Sequence, residues 1–196
     1  MRHDHCVFRL YDELGTEQSA AALASDLEAF GITRARWATR YATFAAGFRG
    51  PVAADEATFE SLLWRQLQLL HDHDRVRHSW DPRVSSNPND PSFSFSVAGE
   101  AYFVVGLHAA SSRSARRFAW PVLCFNAHEQ FEELRQVGVF ERMRSKVRAR
   151  DRALHGRGNP TLSDFGITSE AGQYSGRHNE PGWRCPLHTA PPSPQA

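Results

Sequence analysis

The sequence predicts an α+β fold, a small antiparallel sheet packed by helices within one domain, and three observations carry that reading. Two stretches in the first half repeat apolar residues at helical spacing: Ala20, Leu23, Leu27 and Phe30, then Phe59, Leu62, Leu63, Leu67 and Leu70. From Phe93 to Phe125 the pattern changes to short strand-like runs punctuated by turn residues. Helical periodicity then returns from His128 to Leu154. Strands grouped between helices, rather than alternating with them, point to α+β.

Each element has a local cause. The first helix spans Thr16 to Phe30, and Gly31 supplies a stop. The second runs from Asp55 to His71, with Gly50-Pro51 as the breaker before it. Residues Asp81 to Pro91 collect Pro82, Asn87, Pro88, Asn89 and Asp90, which favour turns and make this a loop. Phe93, Phe95 and Val97 then alternate with serines, Gly99 follows, and Tyr102 to Leu107 is nearly continuous in apolar residues. Two antiparallel strands with a tight connection fit that pattern. A third run, Trp120 to Phe125, reads as a strand buried on both faces and central in the sheet. Gly138 divides the later helical region in two. Beyond Gly156 the chain is dense in Gly, Pro, Ser and Asn; residues 191–196 are expected to be a disordered tail, leaving a single domain over 1–190.

Composition narrows the classes of function. A chain of 196 residues with 41% hydrophobic content suits one ordinary domain. Its formal charge of +1 provides no global field that would recruit nucleic acid or a membrane. The amino terminus lacks the apolar run of a secretory signal and no stretch approaches membrane-spanning length, so a cytoplasmic location is expected. Cys6, Cys124 and Cys185 are odd in number and widely spaced, which indicates neither a disulfide framework nor a paired-cysteine zinc site. The basic run from Arg142 to Arg157 is interleaved with Asp151 and apolar positions and reads as the wet face of a helix. Nucleic-acid binding through it would lack stacking aromatics.

Several residues are candidates for chemistry, each with a plainer account beside it. His108 falls where a strand ends, and a neutral imidazole there is a possible iron or zinc ligand; a hydrogen bond within the loop is the plainer role. Arg113, Arg116 and Arg117 suit a carboxylate, or form a solvated basic turn. Asn126, His128 and Gln130 alternate just past the third strand and would share one edge if it continued, unless Asn126 caps a helix. Tyr174 and Arg177 lie in a Gly-flanked segment that packing alone explains poorly, and Glu170 either receives a guanidinium fork or lies at the surface. Cys185 is either an axial thiolate or an inert buried thiol.

The chain resembles the YqcI/YcgG family from about Phe48 to Pro186. The resemblance rests on Phe59-Glu60 with Leu63-Trp64, Phe93-Ser94-Phe95-Ser96, Phe103 to His108, Ser112 to Phe118, and Phe125-Asn126 with His128 to Phe131. It continues through Arg150-Asp151, Asn159-Pro160, Ser169-Glu170-Ala171, Gln173 to Arg177, and Trp183 with Cys185-Pro186. Ala109 stands where the family usually has Pro, and Leu187 where it has Phe; both departures leave the proposed ligands intact and alter only the surrounding shape.

The family includes haem-dependent guanidine N-hydroxylases, such as those of cycloserine and guanitoxin biosynthesis. The resemblance therefore implies a haem-dependent monooxygenase that hydroxylates a guanidine nitrogen of arginine or a related guanidino compound. It further implies haem b held without covalent attachment, since no Cys-x-x-Cys-His motif is present. His108 is the first candidate for the iron ligand and Cys185 the second, with O2 or peroxide as oxidant and a redox partner as a further requirement. Under this reading Arg113, Arg116, Arg117, Tyr174 and Arg177 line the cofactor or substrate carboxylate. His128 and Gln130 become distal hydrogen-bond donors and Glu170 the guanidinium fork. A haem-binding sensor or carrier without turnover is the alternative, and a small nucleic-acid-binding domain is a third.

Overall fold

The computed structural model describes residues 5–37, 42–155 and 166–189. The expected tail, residues 191–196, and the Asn159-Pro160 motif lie outside them. Five strands form one sheet: β1 His5–Glu13, β2 Ala42–Gly50, β3 Phe95–Val97, β4 Glu100–Leu107 and β5 Val122–Ala127. Their order is β1-β2-β5-β4-β3. β1 runs parallel to β2, and the remaining pairs are antiparallel. The helices are α1 Glu17–Arg34, α2 Glu56–Asp74, α3 His128–Gln136 and α4 Phe140–His155. The class is α+β as expected, and none of these helices is long and apolar enough to cross a membrane.

The strand block expected from the sequence is present, with the Trp120–Phe125 run as the central strand β5, starting at Val122. β3 and β4 are joined through Ala98 and Gly99, whose φ values of 54° and 74° give the left-handed pair that a two-residue hairpin turn requires. The sheet is nonetheless larger than three strands. β2 is rich in Ala and Gly, weak strand formers, and becomes a strand because β1 and β5 pair with it on both sides. Because β1 and β2 are parallel, a crossover must join them, and α1 is that crossover.

The core lies on one face of the sheet. Phe44, Ala46 and Phe48 of β2, Leu123 and Phe125 of β5, and Tyr102 and Val104 of β4 alternate inward and are buried. Against them pack Leu23, Leu27 and Phe30 of α1 and Phe59, Leu63, Leu67 and Leu70 of α2. Each such side chain contributes about 1.5–3 kcal/mol on burial. Gly31 does not end α1: the helix continues to Arg34, and the glycine gives room to the Glu100 carboxylate, 3.4 Å from where a Cβ would stand. Gly138, with φ of 66°, does separate α3 from α4. Asn126 is not a cap; it remains in β5, where its side-chain Oδ1 accepts from Thr43 Oγ1 at 2.8 Å.

The serines that alternate with Phe93, Phe95 and Val97 are buried as well, so β3 has no solvent face. Ser96 Oγ accepts the Asp81 N–H at 2.9 Å, while Ser94 donates to Glu170 at 2.7 Å. Asp81 holds the 81–93 loop to β4. Burial alone would raise its pKa, but the Arg83 fork and the N–H groups of Arg83 and Ala101 keep it below the ordinary carboxylate range.

Helix and sheet approach closely at Gly106, where a Cβ would stand 2.6 Å from Phe59 Cε1. Gly106→Ala is expected to destabilise the fold by about 1–3 kcal/mol through overpacking. Urea unfolding would show a lower midpoint at unchanged slope; an unchanged midpoint would mean that α2 shifts freely away from β4.

Candidate functional site

His108 follows the last residue of β4 and is 1% exposed. Its ring stacks on Phe59, with centroids 4.1 Å apart and planes 16° from parallel. Its backbone closes the loop from residue 108 to 118: His108 N–H donates to the Arg116 carbonyl at 3.0 Å, and Phe118 N–H to the His108 carbonyl at 3.3 Å. Neither ring nitrogen has a hydrogen-bond partner. Burial is the main cause that lowers its pKa, so the imidazole is neutral at pH 7, with two buried lone-pair or N–H positions left unmet. The hydrogen bond to the loop that sequence allowed as the plainer account is not made by the ring.

The carboxyl-terminal segment closes over this end of the sheet. Gly106 N–H donates to the Tyr174 carbonyl at 2.8 Å, and Tyr174 Oη accepts the Phe95 N–H at 3.0 Å. Arg116 is 9% exposed and faces carbonyls rather than carboxylates: Nη1 reaches Tyr174 O at 2.9 Å and Gly106 O at 3.3 Å, and Nη2 reaches Gln173 O at 2.9 Å. Burial lowers its pKa to about 10, which leaves it charged at pH 7. Its hydrogen-bonding face is engaged with backbone, so Arg116 acts as a clamp and is not aimed at a propionate. Arg177 Nη1 pairs with Glu60 at 2.7 Å, and Ser175 Oγ donates to the same carboxylate at 2.9 Å. Arg117 is exposed, with Nε donating to the Ser111 carbonyl at 2.7 Å, while Arg113 is half-buried on the same loop.

Glu170 is not at the surface. Its Oε1 accepts from Ser94 at 2.7 Å and from Tyr174 Oη at 2.6 Å. Burial pushes its pKa up to about 8 against the lowering effect of those two bonds, so at pH 7 it is mostly a neutral acid. A neutral acid committed to Tyr174 and Ser94 is not the anionic fork that a guanidinium needs. The Cys185 thiol is pushed up to about 12, by burial first and by the Glu60 charge in addition. It sits against the core as a thiol rather than a ready thiolate.

His128 and Gln130 are elsewhere. β4 pairs with β5 from Tyr102 opposite Ala127 to Leu107 opposite Val122, so His108 and His128 leave opposite ends of the sheet, roughly 20 Å apart. Gln130 spends both ends of its amide on the backbone of Ala42, accepting its N–H at 3.1 Å and donating to its carbonyl at 3.3 Å. His128 is buried in the first turn of α3, with Nε2 at 3.5 Å from Glu132. The edge sharing expected beyond the third strand fails because the strand ends at Ala127 and helix begins. Neither residue can act as a distal donor to a group bound at His108.

The structure brings other residues to His108 that the sequence analysis did not single out. Phe59 supplies the stacking platform. Glu56, one turn earlier on α2, accepts from both the N–H and Oγ of Ser112, at 2.8 and 2.7 Å, and is the first of the charges that raise the His108 pKa against burial. Phe59-Glu60 was visible as a paired motif, whereas nothing in the local sequence marked Glu56. Beside the same carboxyl-terminal segment lies a cleft of about 340 Å³, bordered by Asn89, Ser169, Gln173, His178, Asn179 and Trp183. Among the described residues, no carboxylate or guanidinium lines it. No group of three or more His, Cys, Asp or Glu side chains suited to a metal ion exists among the described residues.

A family model described as the YqcI/YcgG family matches residues 1–188. The chain is also similar to the uncharacterized protein YqcI of Bacillus subtilis (strain 168), at 31% identity over 134 residues, 66% of this chain and 52% of that protein. It thus spans about half the length of that relative. No solved structure matches.

Glu170 makes stability depend on pH in a defined direction. Its pKa rises from 4.5 to about 8 on folding, so its contribution is complete below pH 4.5 and is lost as pH climbs through 8. Urea unfolding should show stability falling across that window by up to about 1.4 kcal/mol per pH unit. Glu170→Gln, which keeps a neutral hydrogen-bonding group, should flatten the slope; a slope that survives the substitution would assign it to another group.

Proposed function

The chain belongs to the YqcI/YcgG family, and from that premise we propose that it is a haem-dependent monooxygenase acting on a guanidine nitrogen of arginine or a related guanidino compound. The observation that supports this reading most is His108, a neutral imidazole with two unpartnered nitrogens fixed against Phe59. Its donor chemistry fits an iron porphyrin, for which one neutral nitrogen suffices. Because protein atoms seal both nitrogens, ligation requires the 108–118 loop or the segment at 170–177 to move aside. Bound there, haem would supply the activation of O2 or peroxide.

The chain's own residues then have separable tasks. Phe59 fixes the imidazole plane, and the Arg116 carbonyl receives the His108 N–H, so the ring is held by stacking and by its own backbone. Arg113 and Arg117 offer guanidinium groups on the same loop to propionates or to a substrate carboxylate. The carboxylate best placed to receive a guanidinium is Glu56 rather than Glu170, because it is half-buried and lies beside His108, whereas Glu170 is fully enclosed and bonded to Ser94 and Tyr174. Tyr174 and Arg177 support the wall without facing the imidazole.

The sealed imidazole also suits the second reading, a haem-binding sensor or carrier without turnover, in which ligation rather than oxygenation moves the covering segment. Purified protein supplied with haemin should develop a Soret band, and its ferrous carbonyl form should show the spectrum of a histidine rather than a thiolate complex. His108→Ala should abolish the band and Cys185→Ala retain it. A guanidino-compound screen read by mass for one added oxygen separates the two readings. Protein that stays colourless with haemin would end both.

A further inference from the structure

The two faces of the sheet are treated differently. α1 and α2 cover the inner face, where Phe30 meets Phe44 and Gly106 meets Phe59. On the outer face the strand register aligns two apolar rows across four strands. One is Phe8, Ala45, Cys124 and Val105; the other is Leu10, Gly47, Val122 and Leu107. Ala45, Gly47 and Val122 are already buried and Leu10, Cys124, Val105 and Leu107 half-buried, but Phe8 remains 46% exposed, and beside the rows Phe118 and Trp120 are 45% and 44% exposed. α3 reaches this face only toward one end, where Phe131 packs edge-to-face on Phe103 at 6.2 Å. β4 and β5 are apolar on both sides, the composition of strands meant to be covered twice. A contiguous apolar patch of this kind marks an interface.

α4 has the complementary problem. Phe140, Met143 and Val147 form a stripe at helical spacing, yet no residue of the helix with a described side chain is buried, and Val147 is 54% exposed. Its aromatic anchor, Phe140, touches Phe131 at the edge of the open face. Gly138, in a left-handed conformation, sits between α3 and α4 as a hinge.

We propose that α4 is an exchange arm: in a homodimer the stripe of each copy covers the outer sheet face of the other. The arm, about 24 Å long for its 16 residues, matches a sheet about 19 Å across its five strands. Charge agrees with a second copy as occupant. α4 holds six Arg and Lys against two acidic residues, which leaves the rest of the chain with 17 basic and 20 acidic residues. Nucleic acid would match the arm's charge but leave Phe8, Phe118 and Trp120 in water. A reciprocal exchange satisfies both surfaces with one twofold operation. This inference is independent of haem binding.

Light scattering on the full chain should give twice 22.1 kDa. Phe8→Asp and Val147→Asp should each shift it to 22.1 kDa with an unchanged circular dichroism spectrum. In a Cys6→Ser background, mixing a Phe8→Cys protein with a Val147→Cys protein should give a disulfide-linked pair under mild oxidation. A monomer at the highest soluble concentration would overturn the proposal, as would a dimer that survives both charge substitutions or the failure of the mixed pair to link. A monomer whose Phe8 is protected from solvent would instead show that each arm folds onto its own sheet.

Discussion

The Arg116 guanidinium, buried among backbone carbonyls, is the constraint on which the candidate site depends. It joins the end of β4 at Gly106 and its own loop to residues 173 and 174 of the carboxyl-terminal segment, which are far away in sequence. Only a planar fork with several donors reaches three carbonyls at once; lysine, a point donor, would leave acceptors unpaired. Burial of an unpaired charge is costly, and here carbonyl dipoles rather than a carboxylate offset it. Gly176 follows from the same demand, since a Cβ there would lie 2.6 Å from Arg116 Cδ and its φ of 81° is one that glycine adopts freely.

With that clamp in place the surroundings of His108 become rigid in layers. Phe59 is held by the close approach at Gly106, and the imidazole is held by Phe59. Glu60, one residue on, takes Arg177 and Ser175, so α2 grips the returning segment from the other side. The polar interior of Glu170, Tyr174 and Ser94 is satisfied within itself. Its contribution is to position backbone, while both ring nitrogens of His108 are left without a partner. That division separates the wall from the imidazole it encloses.

Long apolar repeats were readable in the sequence; residues whose meaning lies in distant partners were not. α1 and α2 announced themselves through leucines and phenylalanines at helical spacing, and the hairpin through Gly99 after an alternating run. β2 was hidden because Ala-Ala-Gly is poor strand sequence and takes its conformation from its neighbours. Glu170 and Arg116 each kept a surface reading beside a binding one because nothing local reveals that residues 76 and 58 positions away in sequence, Ser94 and Tyr174, will enclose them. His128 and Gln130 appeared to share a site with His108 only while the direction of β5 was unknown. The position of His108 at a strand end was legible, and its empty nitrogens were not.

The late arrival of residues 170–177 has a consequence for biogenesis. A ribosome that has delivered all five strands has not yet delivered the peptide groups that occupy Arg116, nor the hydroxyl that meets the Phe95 amide. Until they emerge, the Arg116 guanidinium and the amides of Phe95 and Gly106 lack these native partners, so a chain delivered only through β5 cannot yet close this end of the sheet over the imidazole.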